Sequence, residues 1–193
     1  IDEPFSGPFF AGDVAHAPAA LPAARFPHIA VESEFAFSFR SALPARATPF
    51  DREEIVAAID ALIPAIEIIG PRYEAVPAGD AASAVADCGL NAALVLGTPV
   101  SDWQGYDLPG HDVRLEIDGK VAGEGSGADV LGDPIAVLEW ALAHLGARGH
   151  DLRAGEIITT GTTTGLVAVK AGQTVVADFG PIGTVEVRFE GAA

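Results

Sequence analysis

The chain has 193 residues, 49% of them hydrophobic, and a formal net charge of −16. That is enough apolar content for one sizeable core, while the charge disfavours nucleic acid and anionic membrane surfaces as partners. An anionic ligand would need local positive charge, which a metal ion can supply. The single cysteine, Cys88, excludes an intramolecular disulfide and is compatible with a reducing cytoplasm.

Residues 1–28 hold Pro4, Pro8, Pro18, Pro22 and Pro27 and predict irregular chain with short extended pieces. Phe5, Phe9 and Phe10 predict that it packs on a core. His16 and His28 show no ligand spacing and read as surface or loop histidines. No secretory signal or bilayer-spanning apolar run is found.

The stretch from Val31 to Phe39 alternates with period two and predicts a strand. Val31, Ser33, Phe35, Phe37 and Phe39 share one face; Glu32, Glu34, Ala36 and Ser38 share the other. Two carboxylates thus stand one pleat repeat apart, about 7 Å between Cα atoms. Strands disfavour Glu, and neighbouring like charges repel. A hard divalent cation would remove that cost; a solvated outer face would also accommodate the pattern.

Leu43 to Pro49 reads as a loop. Asp51 and Glu54 form a capping-box pattern, and Ile55, Ile59, Leu62 and Ile63 predict a helix that Pro64 stops. Ala65 to Ile69, ended by Gly70-Pro71, reads as a buried strand with one charge, Glu67. A carboxylate there is costly unless paired or metal-bound, and Arg72 is the nearest candidate for an ion pair. Asp80 to Asn91 predicts a small helix leading into a strand over Ala92–Leu96. Val113–Ile117, Asp118-Gly119 and Lys120–Ala122 predict a β-hairpin. Gly125-Ser126-Gly127 lacks a phosphate-loop pattern and reads as backbone geometry. Pro134 begins a helix with Ile135, Leu138, Leu142 and Leu145 on one stripe. Strands are predicted at Glu156–Thr159, Val167–Val169, Thr174–Phe179 and Gly183–Phe189, with a Gly/Thr loop at 160–165. The sum predicts an α+β fold, β-rich, with mixed sheets in a roll or barrel-like arrangement and two main flanking helices.

Several of these pieces together resemble the fumarylacetoacetate hydrolase superfamily, most closely its 2-keto-4-pentenoate hydratase and 4-oxalocrotonate decarboxylase branch. The carriers are Val31-Glu32-Ser33-Glu34-Phe35-Ala36-Phe37, Pro64-Ala65-Ile66-Glu67-Ile68, Val95-Leu96-Gly97, Gly125-Ser126-Gly127 with Leu131-Gly132, Ala154-Gly155-Glu156-Ile157-Ile158, and Thr160-Gly161-Thr162-Thr163-Thr164-Gly165. Each piece alone is weak; their order and spacing over nearly the whole chain are specific.

The resemblance implies that Glu32, Glu34 and Glu67 bind Mg²⁺ or Mn²⁺. It implies that Thr162 and Gly161 help hold the carboxylate of a 2-oxo acid; from the residues alone the loop reads first as a tight turn between strands. The activity implied is hydration of a 2-hydroxy-2,4-dienoate in aromatic-compound catabolism, through a metal-stabilised enolate. Decarboxylation of the 4-oxalocrotonate type, or C–C hydrolysis, is the alternative, and a non-catalytic or truncated paralogue is a third reading. The resemblance also places a proton-transfer lysine in an N-terminal segment upstream of Ile1, so no catalytic residue is assigned within residues 1–193, which are expected to form a single catalytic-type domain. A cytoplasmic homo-oligomer acting on a small 2-oxo acid is implied. One departure concerns Ala86-Asp87-Cys88-Gly89-Leu90-Asn91, where relatives tend to have Ala-Asp-Asn-Ala-Ser-Ser; Cys88 and Leu90 are expected to make that wall less polar. Cys88 has no histidine beside it in sequence and reads as a buried thiol.

Overall fold

The structure, a computed structural model, describes residues 4–73 and 81–191. The predicted helix at 80–91 therefore has its first residue, Asp80, outside the described residues. The elements in chain order are β1 (Val14–His16), β2 (Ala19–Pro22), β3 (Ala30–Phe39), α1 (Arg52–Ala58), β4 (Ile59–Ile69), α2 (Ala81–Ala86), β5 (Asn91–Leu96), β6 (Asp112–Ile117), β7 (Lys120–Ser126), α3 (Pro134–Gly146), β8 (Ile157–Thr159), β9 (Val167–Ala168), β10 (Thr174–Asp178) and β11 (Thr184–Glu190). Among the described residues no helix is long and apolar enough to cross a membrane.

Two sheets face each other without closing into a barrel. The first runs β1-β5-β4-β3-β8, with β9 also on β3; the second runs β2-β11-β10-β6-β7. The aromatic face predicted for β3 fills the space between them. Phe35 meets Phe179 edge-on at 5.2 Å between ring centroids, and Phe37 meets Trp103 at 5.7 Å. The irregular N-terminal part adds one short parallel strand to each sheet, β1 beside β5 and β2 beside β11. α1 and α3 send Ile55, Ile135, Leu138 and Leu142 into the same core.

The N-terminal caps behave as their residues predict. The Asp51 carboxylate accepts the Glu54 N–H at 2.9 Å, and Glu54 accepts the Asp51 N–H at 3.0 Å. Asp133 accepts the Ile135 N–H at 2.9 Å, with Pro134 opening α3.

The C-terminal end of the first helix differs from the prediction. α1 stops at Ala58, and Ile59, Leu62, Ile63 and Pro64 all belong to β4. The apolar run fits either period, and pairing to β3 along its length decides for strand. Pro64 is tolerated inside this central strand for a positional reason. It stands opposite Phe35, whose carbonyl turns away to accept from Thr160. On its other side β5 ends at Leu96, and the only bond needed there is accepted by the Pro64 carbonyl from Gly97 N–H at 2.8 Å. No ladder bond requires the missing N–H.

Candidate metal centre

β3 and β4 pair so that Glu32 stands directly opposite Glu67, while Glu34 stands opposite Ala65. Alternation then puts all three carboxylates on one face of the first sheet. One oxygen from each lies within 4.8 Å of the others. This is not a solvated outer face: Glu34 is 1% exposed and Glu67 9%. Nor does Arg72 neutralise Glu67. Its guanidinium sits 2.9 Å from Asp87, a buried carboxylate at the entry to β5.

Burial and mutual repulsion both oppose ionisation here. Desolvation, then the neighbouring Glu34 charge, raises Glu32 to about 8. Burial also raises Glu34, although hydrogen bonds from Glu67, Thr159 and the Gly161 N–H favour its charged form. Glu67 is raised well above the usual carboxylate range by burial, by Glu34 and by Glu32, and its side chain shares a hydrogen bond with Glu34. One Glu34 oxygen, Oε2, is buried without a hydrogen-bond partner. Three hard oxygen donors, one of them orphaned, with no basic group among the charges acting on them, fit a hard divalent cation.

A pH dependence follows. All three groups are raised above their unfolded values, so the fold binds more protons than the unfolded chain between pH 4.5 and about 8. The trio's contribution to the stability of the metal-free protein is therefore fully present below that window and is lost as pH climbs through it. Melting temperatures measured in chelator across this range should decline, and added Mg²⁺ should flatten the decline. A metal-free melting temperature that rises over the same window would contradict the assignment.

The Gly/Thr loop is placed by the same strand. β8 pairs with β3 from Ala36 to Ser38 and β9 pairs with Ala30 and Val31, so the loop bulges from that edge opposite the acids. Thr163 holds it down: its N–H and its hydroxyl both donate to the Ser33 carbonyl, at 2.9 and 2.7 Å. Thr164 Oγ1 accepts the Ser33 N–H at 3.3 Å. Gly161 adopts φ +92°, which favours glycine, and aims its N–H at Glu34. Among the described residues, its chain neighbours aside, nothing lies within 4 Å of a Cβ built on Gly161, so its role there is conformation; Gly125 instead makes a close approach to the loop, at the Thr163 carbonyl. The Thr162 hydroxyl oxygen is buried without a partner.

Sequence reasoning assigned no role to Thr159, Thr163 or Thr164; only the register on β3 reveals theirs. The corner at 88–90 leads into β5, and Cys88 there is half-buried, not buried. His16 and His28 lie outside the acidic trio. A cavity of about 600 Å³ on the second sheet, lined by Asp112, Arg114, Glu124 and Asp178, includes none of the three acids. Its arginine is engaged by Glu124 at 3.1 Å.

Comparison with known proteins gives the family. The family described as fumarylacetoacetate (FAA) hydrolase C-terminal matches residues 12–190. A 4-oxalocrotonate decarboxylase of Pseudomonas putida is 34% identical over 136 residues, covering 70% of this chain and 51% of that protein. A 2-keto-4-pentenoate hydratase of Paraburkholderia xenovorans is 34% identical over 143 residues, covering 72% and 51%. The chain spans about half the length of these curated relatives. The solved 4-oxalocrotonate decarboxylase of Pseudomonas putida G7, complexed with magnesium and adipate, superposes with a TM-score of 0.86 at 28% identity, over 95% of this chain and 68% of that one. The chain belongs to the fumarylacetoacetate hydrolase family, in the branch of the 2-keto-4-pentenoate hydratases and 4-oxalocrotonate decarboxylases.

Proposed function

We propose that this chain carries the site of a divalent-metal-dependent hydratase that adds water to an unsaturated 2-oxo acid, the 2-hydroxy-2,4-dienoate class of aromatic catabolism. The observation that carries this reading is the convergence of Glu32, Glu34 and Glu67, each supplying an oxygen within 4.8 Å of the others on a buried face. These three residues would hold Mg²⁺ or Mn²⁺, which supplies a Lewis acid for negative charge developing on the ligand's 2-oxo oxygen. The chain's own residues do the rest. Gly161 fixes Glu34 through its N–H, so that one ligand oxygen is set by backbone. The Thr162 hydroxyl, buried and unpartnered, is a donor free for the substrate carboxylate. Thr163 and Thr164 pin the loop that presents both.

Decarboxylation is the second reading, favoured by the 4-oxalocrotonate decarboxylase relatives, which are as similar as the hydratases. Incubation with a 2-hydroxydienoate and with 4-oxalocrotonate, each with Mg²⁺ and with chelator, separates them. The expected result is metal-dependent loss of the diene chromophore with a hydrated product and no CO₂. Metal-dependent CO₂ release would move the assignment to the decarboxylase, and turnover unaffected by chelator would overturn both. We place residues 1–193 as one catalytic-type domain of a cytoplasmic homo-oligomer.

A further inference from the structure

The face that carries the acids has a second, apolar half. Across the first sheet, Val14, Leu94, Glu67 and Glu32 form one lateral row, and His16, Leu96, Ala65 and Glu34 form the next. Directly paired residues stand roughly 4.5–5.5 Å apart, so hydrocarbon begins one strand away from the carboxylates. Ala36, Ile63, Ala65, Leu94 and Leu96 make a buried cluster of their own, separate from the core between the sheets. Phe9 and Val14 pack on it, and the Phe9 ring stays partly exposed.

Phe9 is held there by its own segment. The Asn91 side chain at the start of β5 donates to the Pro8 carbonyl at 3.1 Å and to the Cys88 carbonyl at 2.6 Å. Gly7 lies so close to the Cys88 carbonyl that a Cβ would overlap it. Charge points the same way. Six arginines are ion-paired to carboxylates outside the trio. The charges raising Glu32 and Glu67 are those of the other acids of the trio. The residues outside the described ranges contain no lysine or arginine.

We propose that Phe9, standing over this apolar half, receives the ligand's tail, so that the site takes a 2-oxo monocarboxylate with an uncharged hydrocarbon end and rejects the dicarboxylate of equal length. This rests on the metal and 2-oxo acid reading above. A distal carboxylate laid on Phe9 would lose its hydration and face the acids one strand away, and neither row of that face holds an arginine or lysine; His16, exposed at the outer end of the second row, is the one basic side chain in them. A methyl-ended tail loses only its contact with water.

The test uses unreactive 2-oxo acids with the Mg²⁺-loaded protein, read by calorimetry. Pyruvate probes the head alone. 2-Oxohexanoate and 2-oxoadipate share a chain length and differ in terminal charge. Wild-type protein should bind 2-oxohexanoate ~10-fold or more tighter than pyruvate, at the gain expected per buried methylene, and 2-oxoadipate no better than pyruvate. Phe9→Ala should erase most of the gain for 2-oxohexanoate while leaving pyruvate affinity in place. Equal or tighter binding of 2-oxoadipate by the wild type overturns the proposal with the parent reading intact, as does a Phe9→Ala protein that keeps the full chain-length gain. Failure of all three acids to bind, or binding indifferent to Mg²⁺, overturns the parent reading as well. The wild-type comparison needs no variant, so a poorly folded Phe9→Ala leaves the decision in place.

Discussion

Glu67→Gln should abolish divalent-metal binding and metal-dependent turnover, by at least about 100-fold, while making the metal-free protein more stable at alkaline pH. The two effects have one cause. Glu67 faces Glu32 across the strand pair and hydrogen-bonds Glu34, and all three carboxyls are raised by burial and by one another. At acid pH Glu67 is protonated, and glutamine is its near-isostere, so melting temperatures of the two proteins should coincide. As pH rises the wild type must place charge on a buried, mutually repelling group, whereas the variant has one charge fewer. An unpaired buried charge costs roughly 1–3 kcal/mol or more. At about 2–4 °C per kcal/mol for a chain of this size, the variant should melt several degrees higher in chelator above pH 8. Added Mg²⁺ should then raise the wild-type melting temperature and leave the variant's unchanged. A variant that binds Mg²⁺ with wild-type affinity removes Glu67 from the ligand set. A variant that is less stable than wild type at every pH shows instead that Glu67 is a structural carboxylate with a partner.

That site was legible in the sequence because each acid broke a local rule. Two glutamates on one strand face and a lone glutamate in an apolar strand are each costly unless solvated, paired or metal-bound, and the family resemblance joined the three into one ligand set. The fold class was legible for the same reason that Phe35, Phe37 and Phe39 alternate with Glu34, Ala36 and Ser38: period two assigns faces before any partner is known. Reading failed where two periods overlap. The run from Ile55 to Ile69 holds an apolar spacing that suits a helix and a continuous run that suits a buried strand. Pro64 looked like the boundary between them, because a proline inside a central strand is rare. The chain turns instead at Ile59, and Pro64 survives at the one rung where β5 has already ended. Thr159, Thr163 and Thr164 were illegible for another reason. Their roles are bonds to Ser33 and Glu34, about 130 residues away in sequence, and nothing local marks them.

Gly125→Ala should damage the site without touching any residue that faces the acids. Gly125 lies on β7 opposite Val113, and a Cβ there would overlap the Thr163 carbonyl and approach Asp129 Oδ2 to 2.9 Å. Neither neighbour can step aside cheaply. Asp129 Oδ2 accepts the Ser126 N–H at 2.7 Å, and Thr163 gives both its N–H and its hydroxyl to the Ser33 carbonyl. The strain must appear either in β7 or in the Thr loop, and overpacking of this kind costs about 1–3 kcal/mol. If the loop yields, Gly161 and Thr162 move with it. Glu34 then loses a backbone donor that holds it, and the unpartnered Thr162 hydroxyl loses its place. The expected result is a melting temperature several degrees lower and turnover reduced at least about tenfold, a scale set by the sensitivity of catalysis to misplacement of about 1 Å. Gly105→Ala is the control, because a Cβ there meets nothing within 4 Å; it should behave as wild type. Full stability and turnover in Gly125→Ala would show that β7 and the loop are not in register across the two sheets. The glycine-rich stretch read from sequence as backbone geometry would then have no neighbour requiring it, and the hold of the Gly161 N–H on Glu34 would not depend on it.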